Sequence, residues 1–227
     1  TFKGNNLSGT SYIALALQKN FVIQNLTLRN SVNPVIQLTH VKNVLINYVH
    51  IEKCAQGIFS ISSTDIKIVG SSIYDNNTQC VYVNTDNLQI DQSDFCNSNS
   101  SALQITGTST NISISRCNVS YNKIFGISIL GTATMVNITD CIVNYNKSSG
   151  IAAVSNLEIN IGNCVVSFNG NDGCRINGTV NVSDCTIINN TNNGINVGGN
   201  NSSITGNNIK TNGSNGIILV FSNDTTI

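Results

Sequence analysis

Carboxylates, cysteines, aromatic residues and asparagines in glycan-acceptor triplets are the groups able to do chemistry in this 227-residue chain. Cleavage of a glycosidic bond needs two carboxyls facing one another across the substrate. The chain holds nine Asp and two Glu, and the best-spaced pair is Asp140 and Asp184, each directly before a cysteine. Arg116 precedes Cys117 in the same way and is expected to form an exposed ion pair with Asp140, an interaction worth little. Cys117, Cys141, Cys164 and Cys185 follow one another at intervals of 24, 23 and 21 residues, which raises zinc or a chain of disulfides as readings. Tyr121, Tyr145 and Phe168 recur with the same period, and an aromatic row can serve as a sugar platform. Fifteen Asn-x-Ser/Thr triplets occur, about twice the number that random placement would give. Asn99, Asn111, Asn118, Asn137, Asn177 and Asn181 are the preferred acceptors.

These residues recur because the whole chain does. An alternating Ile/Val run, a Ser/Cys/Asn, an Asn four or five residues on and then Gly-Ile return about every 22 residues, as in Asn111–Leu130, Val136–Val154 and Val180–Val197. The residue after the turn falls at Ile58, Val81, Leu103, Ile127, Ile151, Cys174, Ile195 and Ile217. Such self-similarity marks a solenoid, whose units bury their apolar faces only against one another. Within a unit the apolar positions alternate with period two and are mostly β-branched, giving three short strands. A leucine-rich repeat shares part of this signature, but the second alternating run (Ile127-Ser-Ile129, Ile195-Asn-Val197) occupies the place of its helix. The expected fold is all-β: a single parallel β-helix over residues 1–227, about nine to ten coils of 21–24 residues, roughly 45 Å long at the strand spacing.

Ladders then explain most of the motifs. The columns read Ser71, Ser93, Cys117, Cys141, Cys164, Cys185, Asn207 and Asn76, Ser98, Asn122, Asn146, Asn169, Asn190, Asn212. The cysteines point inward by phase, where a thiol behaves as a small hydrophobe. A straight row also lacks the tetrahedral convergence of a zinc site, so no metal or cofactor is expected. Cys54 and Cys80 fall at the turns of adjacent coils, and the connectivity of Cys54, Cys80, Cys96 and Cys174 stays open. Stacked asparagines satisfy each other and the turn backbone, so Asn146 and Asn212 should be buried. The Gly57, Gly126, Gly150, Gly173, Gly194, Gly216 column suggests a turn with positive φ. Pro34 is placed in a turn, and His40 and His50 on the surface.

The recurrent rung and the Asn122-Lys-Ile-Phe-Gly126-Ile127 and Asn146-Lys-Ser-Ser-Gly150-Ile151 turns resemble the right-handed parallel β-helix repeats of the pectin-lyase-like superfamily, from about Phe21 to Val220. That resemblance implies a fold shared by lyases, hydrolases, epimerases, adhesins and tailspikes. A carbohydrate enzyme of this type would rely on Asp140 and Asp184 as its acid–base pair. Of the polygalacturonase-type signatures Asn-Thr-Asp, paired Asp-Asp, Gly-His-Gly and Arg-Ile-Lys, none is expected to mark a site here, and the outward column after the turn holds no carboxylate.

Composition narrows the function further. Charged residues are 10% and the net charge is zero, which gives no electrostatic footing for nucleic acid. No apolar run approaches the roughly 20 residues of a membrane span, and no outward column is the threonine row of an ice-binding face. The expectation is a non-catalytic structural segment of an extracellular fibre or cell-surface protein, N-glycosylated, giving rigidity and surface display. Its ends show no polar cap, so axial self-association or continuation in a longer repeat chain is expected. The alternatives are a polysaccharide lyase or hydrolase, or a glycan-binding adhesin or tailspike.

Overall fold

The computed structural model describes residues 2–3, 6–8, 13–154 and 158–227, with side chains over 13–154 and 158–227. A representative coil has a first strand Ile127–Leu130, a second Thr134–Thr139 and a third Ile142–Asn144. The next coil repeats it as Ile151–Val154, Ile159–Gly162 and Val165–Ser167. Strand pairings between coils are parallel, with Ile127 opposite Ile151, Val136 opposite Ile159 and Val143 opposite Val166, and the register shifts once, at Asn84/Thr85. Ten third strands stack into one sheet. First and second strands join into a larger one because they run on continuously in two coils, as Gln56–Val69 and Val81–Asp91.

Alternation decides which side of each strand is buried. Ile112, Ile114, Val119, Ile127 and Ile129, with their counterparts in other coils, form one continuous core. Three-sided coils need sharp corners, and a single left-handed residue makes each of two. Arg116, Asp140, Asn163 and Asp184 turn the chain between second and third strands at φ of 52–55°, and Tyr121, Tyr145, Phe168 and Asn189 between third and first at 54–59°. For a non-glycine residue this conformation costs about 1–2 kcal/mol. The offset comes from the following residue, which points inward and caps the preceding coil. Asn146 donates its backbone N–H to Asn169 Oδ1 at 3.1 Å and its amide to the Val119 carbonyl at 3.1 Å. Cysteines do the same job at the other corner, where Cys164 N–H meets Cys185 Sγ at 3.4 Å.

Two expectations are corrected here. The Gly57, Gly126, Gly150, Gly173, Gly194, Gly216 column does not have positive φ. Its requirement is space: a Cβ on Gly150 would stand 2.7 Å from Val166 Cγ1 and from Asn169 Nδ2 of the next coil. Pro34 opens the strand Pro34–Thr39 instead of sitting in a turn, a position where its missing N–H is tolerated. Asn146 is buried as expected, whereas Asn212 is half-buried because the coil after it covers it less.

Candidate functional site

The outer face of the first strands carries a concavity. One column runs Phe59, Tyr82, Gln104, Ser128, Ala152, Arg175, Asn196, Ile218, paired rung by rung. Phe59 and Tyr82 stack at 5.4 Å with planes 10° apart. Ala152 is too small to fill the space above it, and Phe125 and Val220 flank that space. The result is a groove of about 400 Å³ lined by Phe125, Leu130, Ala152, Val154, Arg175 and Asn196. Arg175 is exposed and forms no ion pair among the described residues. Below it Asp172, 2% exposed, accepts from Asn193 N–H at 3.0 Å, Asn193 Nδ2 at 2.8 Å and Asn196 Nδ2 at 3.2 Å. The groove thus offers a guanidinium and an amide over an apolar floor, while its one nearby carboxylate is buried and engaged. That arrangement can bind a ligand with hydroxyls or a carboxylate. It has no free acid–base pair.

The carboxylates proposed for catalysis lie elsewhere. Asp140 and Asp184 share the corner column, exposed, with Asn163 as the rung between them. Asn163 Nδ2 donates to Asp140 at 2.5 Å, and the Asp184 carboxylate lies over Gly206 in space that a Cβ there would fill. The two carboxyls are thus two coils apart, separated by the Asn163 rung, and neither lines the groove. Arg116 does not pair with Asp140 as expected: its Nε donates to Asp91 at 2.9 Å and a second guanidinium nitrogen also bonds that carboxylate. The hydrogen bonds from Arg116 hold the Asp91 carboxyl below its usual range, and Ser115 adds another donor. Asn84-Thr85-Asp86 matches the polygalacturonase-type Asn-Thr-Asp tripeptide in isolation. Asp86 there accepts from the Thr110 N–H at 2.8 Å and hydroxyl at 2.9 Å, a further structural use.

Tyr121, Tyr145 and Phe168 form a continuous stack, with centroids 5.0 Å apart at each step and planes within 5°. The rings are 57%, 42% and 46% exposed. Their faces cover one another along the axis, so solvent meets mainly ring edges. All eight cysteines are free thiols, Cys54 and Cys80 included, and only Cys96 is less than buried. Burial pushes the Cys80 and Cys174 thiols up. Within the four-thiol row, hydrogen bonds to Cys141 raise Cys117 and Cys164, and those same donors lower Cys141. Asn99, Asn111, Asn177 and Asn181 are exposed, and Asn118 and Asn137 half-buried. No group of three or more His, Cys, Asp or Glu converges on a metal position among the described residues. His50, expected only to be on the surface, is hydrogen-bonded to Ser72 and Tyr74 on the sheet of third strands.

Three parallel strands per coil, one-residue corners and inward Asn and Cys columns define a β-helix. The family described as right handed beta helix region matches residues 11–159, and the chain belongs to it; the fold is therefore a right-handed parallel β-helix. No curated protein sequence matches the chain. Among solved structures it is similar to the periplasmic alginate epimerase AlgG (TM-score 0.79, 12% identity), covering 90% of this chain but 58% of the epimerase. It is similar to pectate lyase Pel9A (TM-score 0.65, 12% identity, 89% of this chain and 70% of the lyase). PfbA, a surface adhesin of Streptococcus pneumoniae, aligns with TM-score 0.65 and 14% identity over 95% of this chain and 62% of the adhesin. At these identities the likeness is one of fold.

Proposed function

We propose that this chain is a rigid β-helical segment of an extracellular or cell-surface protein, displaying its outer faces to glycans without cleaving them. One observation carries the reading. Glu52, Asp65, Asp86, Asp91, Asp140 and Asp172 are each engaged by a neighbouring rung, while the groove on the first strands presents Arg175 and Asn196 over Ala152 and Val154. The fold shared with a periplasmic epimerase, a pectate lyase and a surface adhesin supports the setting and the ligand class. N-glycans and axial stacking of coils belong to the same reading.

The test is incubation of the purified chain with alginate, pectate and neutral glycans, followed by product analysis and binding measurements. Retention of uronate-rich glycan without new chain ends is expected, and Arg175→Ala should weaken it about tenfold, as loss of a charge-assisted hydrogen bond does. Turnover abolished by Asp184→Asn would replace this reading with the lyase or hydrolase built on Asp140 and Asp184.

A further inference from the structure

A second constellation lies on the sheet of third strands, away from the groove. The strand His50–Glu52 pairs in register with Ser72–Tyr74, setting His50 beside Ser72 and Glu52 beside Tyr74. Arg29, one coil earlier, is in register with Glu52 and forms an ion pair with it at 3.3 Å. His50 Nδ1 lies 2.6 Å from Ser72 Oγ, and His50 Nε2 lies 2.7 Å from Tyr74 Oη. The two rings meet edge to face at 4.9 Å. Glu52 is the rung beside Tyr74, and its charge lies next to the Tyr74 hydroxyl.

His50 bridges the two hydroxyls, one at each ring nitrogen. In the tautomer with its proton on Nε2, His50 donates to the Tyr74 oxygen and its bare Nδ1 accepts the Ser72 O–H. A hydroxyl donating to an imidazole whose far nitrogen is held by a fixed third group has the layout of an activated nucleophile. Burial and then the adjacent Glu52 push the Tyr74 hydroxyl up, so it stays a neutral donor at physiological pH.

We propose that Ser72 is a nucleophilic serine, with His50 as its general base and Tyr74 as a positioning residue, and that it takes the acyl group of small, uncharged or cationic esters. Ser72 Oγ attacks the ester carbonyl carbon; the Oγ–C bond forms as the Oγ–H proton passes to His50 Nδ1. The tetrahedral adduct collapses, the C–O bond to the alcohol breaks, and His50 returns the proton to the departing alkoxide. Water, deprotonated by His50, then releases the acid and restores Ser72. Preference against anions follows from Asp94, the exposed next rung beside Ser72. Access is open, because Ser72, His50 and Tyr74 are only half-buried on a solvent-facing sheet. The site is independent of the groove, so it stands or falls without the glycan reading.

The test uses a biotinylated fluorophosphonate on the folded chain, with peptide mapping of the label. Ser72 Oγ attacks phosphorus, the P–F bond breaks, fluoride leaves and the proton goes to His50. Labelling is expected at Ser72 and absent in Ser72→Ala. It should slow by about 100-fold in His50→Gln, the range of a lost general base, and less in Tyr74→Phe, which keeps the ring and its packing. No label on wild-type Ser72, or equal rates in wild type, His50→Gln and Tyr74→Phe, would overturn the assignment.

Discussion

At the scale of single residues, the inward caps carry more of the fold than their polarity suggests. Asn169 accepts from the Asn146 backbone N–H at 3.1 Å and Nδ2 at 3.0 Å, and donates to the Val143 carbonyl at 3.1 Å. Asn169→Ala leaves those buried groups without partners, so it should cost about 2–4 kcal/mol in urea unfolding, given the penalty for each orphaned group. Asn163→Ala, at an exposed position in the other corner, should stay within about 1 kcal/mol. The thiols give a second residue-level signature. Cys80 and Cys174 are raised by burial, so they stay protonated when folded and ionise in the unfolded chain. Above the ordinary thiol pKa the unfolded state binds fewer protons. Stability is therefore full below about pH 8.5 and falls above it, by up to about 1.4 kcal/mol per pH unit for each such thiol. Cys174→Val should flatten that slope in unfolding curves measured from pH 8 to 10; an unchanged slope would mean the thiol ionises in the folded state.

At the scale of strands and turns, the sequence was most legible where a side chain's role repeats. Period-two alternation named the core strands, and the 21–24 residue interval fixed which rungs meet; the structure pairs Ile127 with Ile151 and Cys174 with Ile195 accordingly. The glycine column was visible but its cause was not, since a lost Cβ reads alike for a positive φ and a close approach. The two causes predict different substitutions. Gly150→Ala should cost about 1–3 kcal/mol, the usual range for overpacking, because Val166, Asn169 and the Gly173 carbonyl crowd the new methyl. Gly216→Ala meets only Ile209 Cγ2 at 3.6 Å and should be nearly neutral. Comparable melting losses in both would restore a backbone requirement. The groove escaped the sequence because it arises from size differences within one column, Phe59 and Tyr82 giving way to Ala152, and from turn residues such as Phe125 outside the repeat. The Ser72–His50 pair was readable in principle: adding one 22-residue period to His50 and Glu52 lands on Ser72 and Tyr74. Repetition does not flag it, because that column runs Thr27, His50, Ser72, Asp94, Asn118 with no residue type recurring.

At the scale of the whole molecule, every residue has one of two fates, inside the coil stack or on its surface, and the acceptor triplets fall on both sides. Asn99, Asn177 and Asn181 are exposed, and Asn146 is 1% exposed within the inward column. A glycan is attached through Nδ2. On Asn146 that nitrogen already donates to Val119 and Asn169 inside the core, so a glycosylated Asn146 blocks closure of its coil against two neighbours. Asn137 accepts from Asn160 through Oδ1 at 3.0 Å, which leaves its nitrogen available, whereas the Asn111 nitrogen donates to Asn87 at 3.0 Å and must give up that rung bond. In a eukaryotic secretory host, the folded secreted chain should therefore carry glycans at Asn99, Asn177 and Asn181, with Asn137 occupied more fully than Asn111 and none at Asn146. Glycopeptide mass spectrometry of the secreted fraction reads all of these at once. A glycan on Asn146 in folded, secreted protein would contradict the inward column itself, because the coil cannot close around a sugar at that rung.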